Sequence, residues 1–322
     1  MKKSTILAVC VASVMTHGVA LASTDFPTKP ITLVVGFPPG GGADHVGRVY
    51  ANALAKELGQ PIIVENRPGA GATIGASYVA RAKPDGYTLF LGNSSVMGSD
   101  TILYKVNYTP DDFDPIIQLT TAPMILIASE KSGIKSVQDL IQRAKAKPND
   151  VTFSSSGNGV ITHLAAVEFM LNQGVEMLHI PHSGGAAATQ SVASGEVDVS
   201  FATAPSARPV IDIGKAKGLG ITSSTPSPVL AAYPPIAQQG AEGYDISNWW
   251  GIFTPAGTPD EIKNRIFEAS STVLSDPKVI ETMRSGYEDV TPSASLAEFE
   301  AFARREGALG LKLAELSRAS QN

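Results

Sequence analysis

The sequence predicts an α/β protein of two lobes, each a parallel sheet covered by helices, followed by a largely helical tail. Three observations lead there. Short, fully apolar, β-rich runs alternate with segments of helical periodicity along most of the chain. Strands that are apolar on both sides need cover on both faces, and parallel sheets receive it from their crossover helices. Several strand-to-helix junctions are rich in glycine and hydroxyl residues, and such folds hold their ligands at the carboxyl ends of strands.

The elements follow in order. Residues 31–36 form a continuous apolar strand, and 43–58 a helix that Gly59 stops. A strand at 61–65 and a helix at 74–82 come next, then a strand at 87–91. Residues 116–119 and 124–128 are strands, and Val137–Ala146 is a helix ended by Pro148. Strand 151–154, helix 162–172 and strand 177–180 repeat the alternation. So do helix 186–193, stopped by Gly195, and strand 197–202. Residues 223–235, rich in Ser and Pro, form a surface connection, and 248–254 a strand containing Trp249 and Trp250. One of these tryptophans either packs in the core or lines the cleft. The tail is helical at Asp260–Leu274, Pro277–Ser285 and 296–316. Pro259 opens the first of these, with Asp260 and Glu261 in the turn where the helix dipole favours acids.

The N-terminus reads as a secretory signal. Lys2 and Lys3 precede an apolar run at 6–15, interrupted only by Ser13, and Ala20-Leu21-Ala22 is a small-x-small cleavage site. Residues 1–22 are expected to be removed after Ala22, so that Ser23 starts the mature protein. The run is too short to span a bilayer. Cys10 lies inside it and is the chain's single cysteine. The mature protein therefore holds no disulfide and relies on its core. Loss of two lysines and no acid takes the formal charge from −5 to −7. With no basic run, this argues against nucleic acid and anionic membrane as partners. An anionic ligand has to be held by local dipoles rather than by the net field.

The loops carry the chemistry. The first, Phe37-Pro38-Pro39-Gly40-Gly41-Gly42-Ala43-Asp44, leads from a buried strand into a helix. Its glycines expose backbone N–H groups at a positive helix end, which suits a carboxylate or phosphate. It reads equally as a tight turn with Asp44 as a cap. No Gly-Lys-Ser/Thr follows, so it is not a nucleotide P-loop. The second, Glu65 to Gly75, misses the dinucleotide spacing, and strand 87–91 runs into Gly92-Asn93 rather than an acid. The third, Ser154 to Gly159, the fourth, Pro181 to Ala186, and the fifth, Phe201 to Ser206, again offer hydroxyl and glycine donors.

Enzyme readings are weaker. There is no G-x-S-x-G elbow around Ser154 to Gly157. A serine of that run with His163 would make a hydrolase, but a His one turn into a helix is more often packed or hydrogen-bonded. His179 and His182 face different ways at the end of a strand and lack a third metal ligand nearby.

Phe37-Pro38-Pro39-Gly40-Gly41, Val64-Glu65-Asn66-Arg67-Pro68-Gly69-Ala70-Gly71 and Lys83-Pro84-Asp85-Gly86-Tyr87-Thr88-Leu89 occur in this order. Gly157 to His163-Leu164-Ala165, Pro181-His182-Ser183-Gly184-Gly185, and Trp249 with Pro255-Ala256-Gly257-Thr258-Pro259 follow. Together they resemble the Bug family of periplasmic receptors, which serve tripartite tricarboxylate transporters. The resemblance covers nearly the whole mature chain. It implies a periplasmic binding protein fold: two α/β lobes around a ligand cleft, joined by crossing hinge strands. Lobe 1 would comprise residues 23–123 and 248–322, and lobe 2 residues 124–247.

It further implies a monomeric periplasmic receptor for a small carboxylate, a membrane permease as partner, no cofactor and no catalysis. Docking on a sensor kinase ectodomain stays open as an alternative. Family ligands include dicarboxylates, citrate-like acids, amino acids, nicotinate and aromatic acids. In the family, main-chain N–H groups and ordered waters of the first loop bind the carboxylate. Phe37, Gly41, Gly42, Ala43, Asp44 and Ala70 would line lobe 1. Ser155, Ser156, Gly157, Thr162, His182, Gly184, Gly185, Ala186 and Asp198 would line lobe 2. Many relatives carry Tyr or Phe where His182 stands, so the particular acid is not inherited.

Overall fold

Strand β1 (Ile31–Val35) is buried at every position except Thr32, so it needs neighbours on both edges and cover on both faces. It has them. In the computed structural model, which describes residues 26–319, β1 pairs in parallel with β2 (Ile62–Asn66) and β3 (Thr88–Gly92). Helix α1 (Gly42–Leu58) covers one face through Val46, Tyr50, Leu54 and Leu58, a stripe at helical spacing. It stops at Gly59, left-handed with φ 67°, as expected from the sequence. Helix α2 (Thr73–Ala80) covers the other face with Ala76 and Val79. The expected signal segment, residues 1–22, lies outside the described residues.

Beyond the short α3 (Asp100–Leu103), the chain enters β4 (Phe113–Pro123) and passes directly into β5 (Ile125–Ser129). β5 belongs to a second sheet with its own core. That sheet contains β6 (Thr152–Ser155), β7 (Leu178–Pro181), β8 (Val199–Ala202) and β9 (Ala216–Ile221) in the order β7-β6-β8-β5-β9. Helices α4 (Val137–Ala146), α5 (Ile161–Gln173), α6 (Gly185–Ser194) and α7 (Ala204–Asp212) accompany these strands. β10 (Ser247–Pro255) then returns to the first sheet, antiparallel to β4 along its whole length. β4 and β10 are therefore the crossing strands. After α8 (Asp260–Leu274) and α9 (Pro277–Ser285), the two-residue β11 (Asp289–Val290) closes the first sheet in the order β11-β4-β10-β3-β1-β2.

Three features depart from the sequence reading. The sheets are mixed rather than parallel, because β4, β5, β9 and β10 carry the chain between sheets and run antiparallel to their neighbours. β9 was hidden by Gly218 and Gly220, poor strand formers; a Cβ on Gly218 would lie 2.3 Å from the Tyr233 ring. α7 was hidden by Pro205 and Pro209, although Pro205 falls in the first turn, where no backbone donor is lost.

Helix α10 (Leu296–Ala319) qualifies the expected grouping of 248–322 with one lobe. At 24 residues it is about 36 Å long, enough to serve both cores. Phe299 and Ala303 pack with Phe90, Trp249 and Phe253 of the first sheet. Leu313 is buried with Phe153, Phe169, Phe201 and Tyr244 of the second.

Leu313→Ala should therefore lower the unfolding free energy by about 2–4 kcal/mol. Leu316→Ala, three residues on and 38% exposed, should change it by less than about 0.5 kcal/mol. Urea unfolding of both variants checks this.

Candidate functional site

All parallel strands of one sheet end on the same side, so the loops expected to carry chemistry gather there. The first wall is the Phe37–Asp44 loop. Gly41 is the N-cap of α1, and the first intrahelical bond runs from His45 N to Gly41 O, 3.0 Å. The N–H groups of Gly41, Gly42, Ala43 and Asp44 precede it and have no partner within the helix. Gly41 is exposed, Gly42 is partly open, and Ala43 and Asp44 are buried. Phe37 stands edge-on to Trp250, with ring centroids 5.5 Å apart.

Asp44 does not offer its carboxylate to the cleft. It accepts from Gly40 N (2.9 Å), Arg48 Nε (2.9 Å) and Asn66 Nδ2 (2.9 Å). Burial works to raise this carboxyl, but Arg48, the Gly40 N–H and Asn66 outweigh it and hold it at about 2. Asn66 Nδ2 also donates to Phe37 O at 3.0 Å, and Arg48 donates to Asn66 Oδ1 at 3.0 Å. Asn66 is thus the brace of the first loop, which explains the asparagine of the Glu-Asn-Arg-Pro-Gly motif. The arginine of that motif faces elsewhere: Arg67 pairs with Glu65 at 2.7 Å and stacks on Tyr78 at 3.6 Å.

The second loop brings Ala70 to the surface in a run of left-handed residues, Ala70 (φ 46°), Gly71 (φ 67°) and Ala72 (φ 83°). A Cβ on Gly71 would lie 2.8 Å from the Tyr104 hydroxyl. That hydroxyl donates to Asn158 O, 3.1 Å away in the third loop of the other lobe. Leu103 packs against Gly159 in the same loop. The lobes therefore touch where second and third loops meet.

The third loop is organised from within. Thr162 Oγ1 accepts from Ser156 N (3.0 Å) and is 2.8 Å from Ser156 Oγ. Ser155 is fully buried, and its hydroxyl donates to Gly157 O at 2.8 Å. It lies 2.7 Å from His179 Nε2, which is therefore the donor of that pair. His179 stacks on His163 with centroids 4.0 Å apart, and His163 Nδ1 accepts the Gly159 N–H at 2.9 Å. Burial, aided by the neighbouring imidazoles, lowers His163 to about 3 and His179 to about 4, so both are neutral near pH 7. A buried serine with a proton-donating histidine has neither the access nor the base that a hydrolase requires. Ser155 and Thr162 shape the loop, while Ser156 and Gly157 are partly open.

The fourth loop joins the third through His182 N, which donates to Ser155 O at 3.0 Å. His182 Nε2 is buried and makes no hydrogen bond with the described residues. Gly184 is the N-cap of α6, so the amides of Gly184, Gly185 and Ala186 lack helical partners. A Cβ on Gly185 would lie 2.4 Å from Ser206 Oγ, which brings the fifth loop against the fourth. Asp198 is not part of this gathering. It lies ahead of β8, at the end opposite the loops, where Thr152 N and Oγ1 both donate to it at 2.9 Å. Its role is to pin the start of β6.

The sequence reading missed Glu288. It is 4% exposed, and Thr120 Oγ1 donates to its Oε2 at 2.7 Å. A Cβ on Gly42 would lie 3.7 Å from its Oε1. Burial pushes this carboxyl up to about 7, against the opposing pull of Thr120 and the Trp250 indole, with Asp289 adding repulsion. Gly-Tyr-Glu after a helix carries no sequence signal that would have marked it.

Two outcomes follow. Asn66→Ala removes the donor to Phe37 O and Asp44 and should cost about 1–3 kcal/mol of stability by denaturant unfolding. For Glu288 the folded state keeps its proton up to about pH 7, whereas the unfolded state loses it near the ordinary glutamate value of 4.5. Folded protein then binds more protons between those values, so this group's contribution falls as pH rises through that window. The stability of wild type relative to Glu288→Gln should drop by on the order of 3 kcal/mol between pH 4.5 and 8.

The sequence matches the family described as tripartite tricarboxylate transporter family receptor over residues 46–306. It is 33% identical to BugT of Bordetella pertussis over 270 residues, 81% of this chain and 82% of that protein. It is also 33% identical to a UPF0065 protein from the tcbD-tcbE intergenic region of Pseudomonas sp. strain P51 over 280 residues, 83% of each. Among solved structures, it resembles R. palustris Rpa4515 with adipate (TM-score 0.81, 30% identity, 90% of this chain and 98% of that one). MatC from Rhodopseudomonas palustris with bound malate is similar as well (TM-score 0.78, 29% identity, 90% and 100%). With a periplasmic binding protein fold of two lobes around a cleft, this chain belongs to the tripartite tricarboxylate transporter receptor family, whose members bind solutes and are not enzymes.

Proposed function

We propose that this protein is a periplasmic receptor that captures a small carboxylate between its lobes and delivers it to the permease of a tripartite transporter. In this reading residues 1–22 are the cleaved export signal, lobe 1 spans 23–123 and 248–322, lobe 2 spans 124–247, and the receptor works as a monomer. The observation that carries it is the first loop: adjacent backbone donors at the start of α1, held rigid by Asn66 and Asp44. A positive helix end with unpaired N–H groups favours a carboxylate. Gly184, Gly185 and Ala186 offer a similar set from the other lobe, suited to the distal end of a two-headed acid, and the unpartnered His182 Nε2 would select among such ends. The adipate and malate of the neighbouring structures are acids of that kind.

Purified protein should be stabilised by one or more members of a panel of small carboxylates. At ~100 times Kd the gain is roughly 2.7 kcal/mol, readable as a thermal shift. A panel with no shift and no binding heat contradicts the reading. Gly41→Val and Gly42→Val should abolish the shift while the fold persists. Neither glycine has positive φ, and a Cβ at either site meets nothing closer than 3.7 Å. The added side chain then screens the backbone donors without straining the loop.

A further inference from the structure

The turn from α9 to β11 meets the cleft in a way the receptor reading does not use. Gly286 lies against the His45 ring of α1, where a Cβ would come within 2.4 Å. Tyr287, at φ 64°, packs on the second lobe's core, and Arg208 of α7 is its neighbour there. Glu288 points under the first loop. Its Oε2 is taken by Thr120, and its Oε1 lies 3.7 Å from where a Cβ on Gly42 would stand; Gly42 is one of the α1 residues whose N–H has no partner within the helix. Among the described residues, no Lys, Arg or His pairs with it. Asp44, the nearest acid of α1, is already neutralised by Arg48, and Asp289 accepts from Ser227 at 2.9 Å.

A captured carboxylate at the first loop would thus lie beside a buried carboxyl. Two carboxylates cannot both stay ionised at close range in a water-poor site. A shared proton resolves the conflict and turns repulsion into a short O–H···O hydrogen bond. We propose that Glu288 is a ligand-binding residue of the first-loop site, contacting the captured carboxylate as a protonated acid, so that capture takes up a proton from solvent. The proposal rests on the carboxylate-receptor reading. It distinguishes an acid, whose charge an ionised Glu288 would repel and which therefore requires the protonated form, from neutral amides or alcohols of the same shape, which tolerate either form. Burial alone already favours the neutral carboxyl, and a bound anion favours it further.

The other titratable and charged groups packed round the turn are His45 and Asp44 on α1, Asp289 on β11 and Arg208 on α7. From β4 and β10, Thr120 and Trp250 face it. His182 is the titratable group of the fourth loop. Only Glu288 among them is both buried and without a charged partner, so it is the group whose proton count should change on capture.

The test is calorimetric titration of intact protein with adipate and with malate between pH 6.5 and 8.5, in buffers of differing ionisation heat. Wild type should take up close to one proton per ligand at the alkaline end, with affinity falling about tenfold per pH unit above 7. Glu288→Gln, a permanently neutral donor, should take up none and vary less than about twofold across the range. If the variant keeps the wild-type profile, the proton belongs to His45 or His182 and the proposal is overturned. Binding by wild type with no proton uptake overturns it too, without need of a variant, and leaves the receptor reading intact. If neither these acids nor the wider panel binds at any pH, the receptor reading itself fails and takes the proposal with it.

Discussion

The site depends on the brace between Asn66 and the first loop. A cleft that binds an anion through backbone N–H groups has no long cationic side chain to adapt to the ligand. The donors have to be in place beforehand, because ordering them on binding would consume the affinity they provide. Asn66 bonds Phe37 O and Asp44 at once, Asp44 bonds Gly40 N, and Arg48 closes the ring of contacts. The charges of both Asp44 and Arg48 are spent on holding the loop. The acid at position 44 therefore leaves the helix terminus free to act as a positive end.

That rigidity is set against a frame able to change its overall shape. β4 and β10 cross side by side between the sheets, and a pair of long strands can absorb a hinge rotation over several residues. Further links span the lobes: α10, buried at one end in each core, the contact of Tyr104 with Asn158 beside Leu103 and Gly159, and the turn before β11, where Tyr287 packs on the second lobe's core and Asp289 accepts from Ser227. The first is apolar and extensive, while the others are small.

Much of this was legible beforehand. β1, α1 and their glycine stop follow from an apolar run, a helical stripe and Gly59. The strand-to-helix loops were marked by glycine and hydroxyl clusters, and the structure brings the third, fourth and fifth of them together. The rest was hidden for physical reasons. Gly218 and Gly220 are in β9 because Tyr233 and Pro234 press on them, a tertiary demand that reads locally as a loop. Asp198 has the chemistry of a ligand contact, but its distance from the loops depends on which end of β8 it occupies. Glu288 becomes conspicuous only when the fold carries it from a sequence distance of more than two hundred residues to within reach of Gly42.

The central claim is that backbone donors of the first loop, rather than a basic side chain, hold the acid. A crystal structure of the protein with its bound carboxylate tests this most directly. A carboxylate oxygen is expected within hydrogen-bond distance of the Gly41–Ala43 amides, directly or through one ordered water, with Glu288 beneath it and no Lys or Arg in contact. An acid paired instead with an arginine or lysine, or seated away from the start of α1, would contradict it.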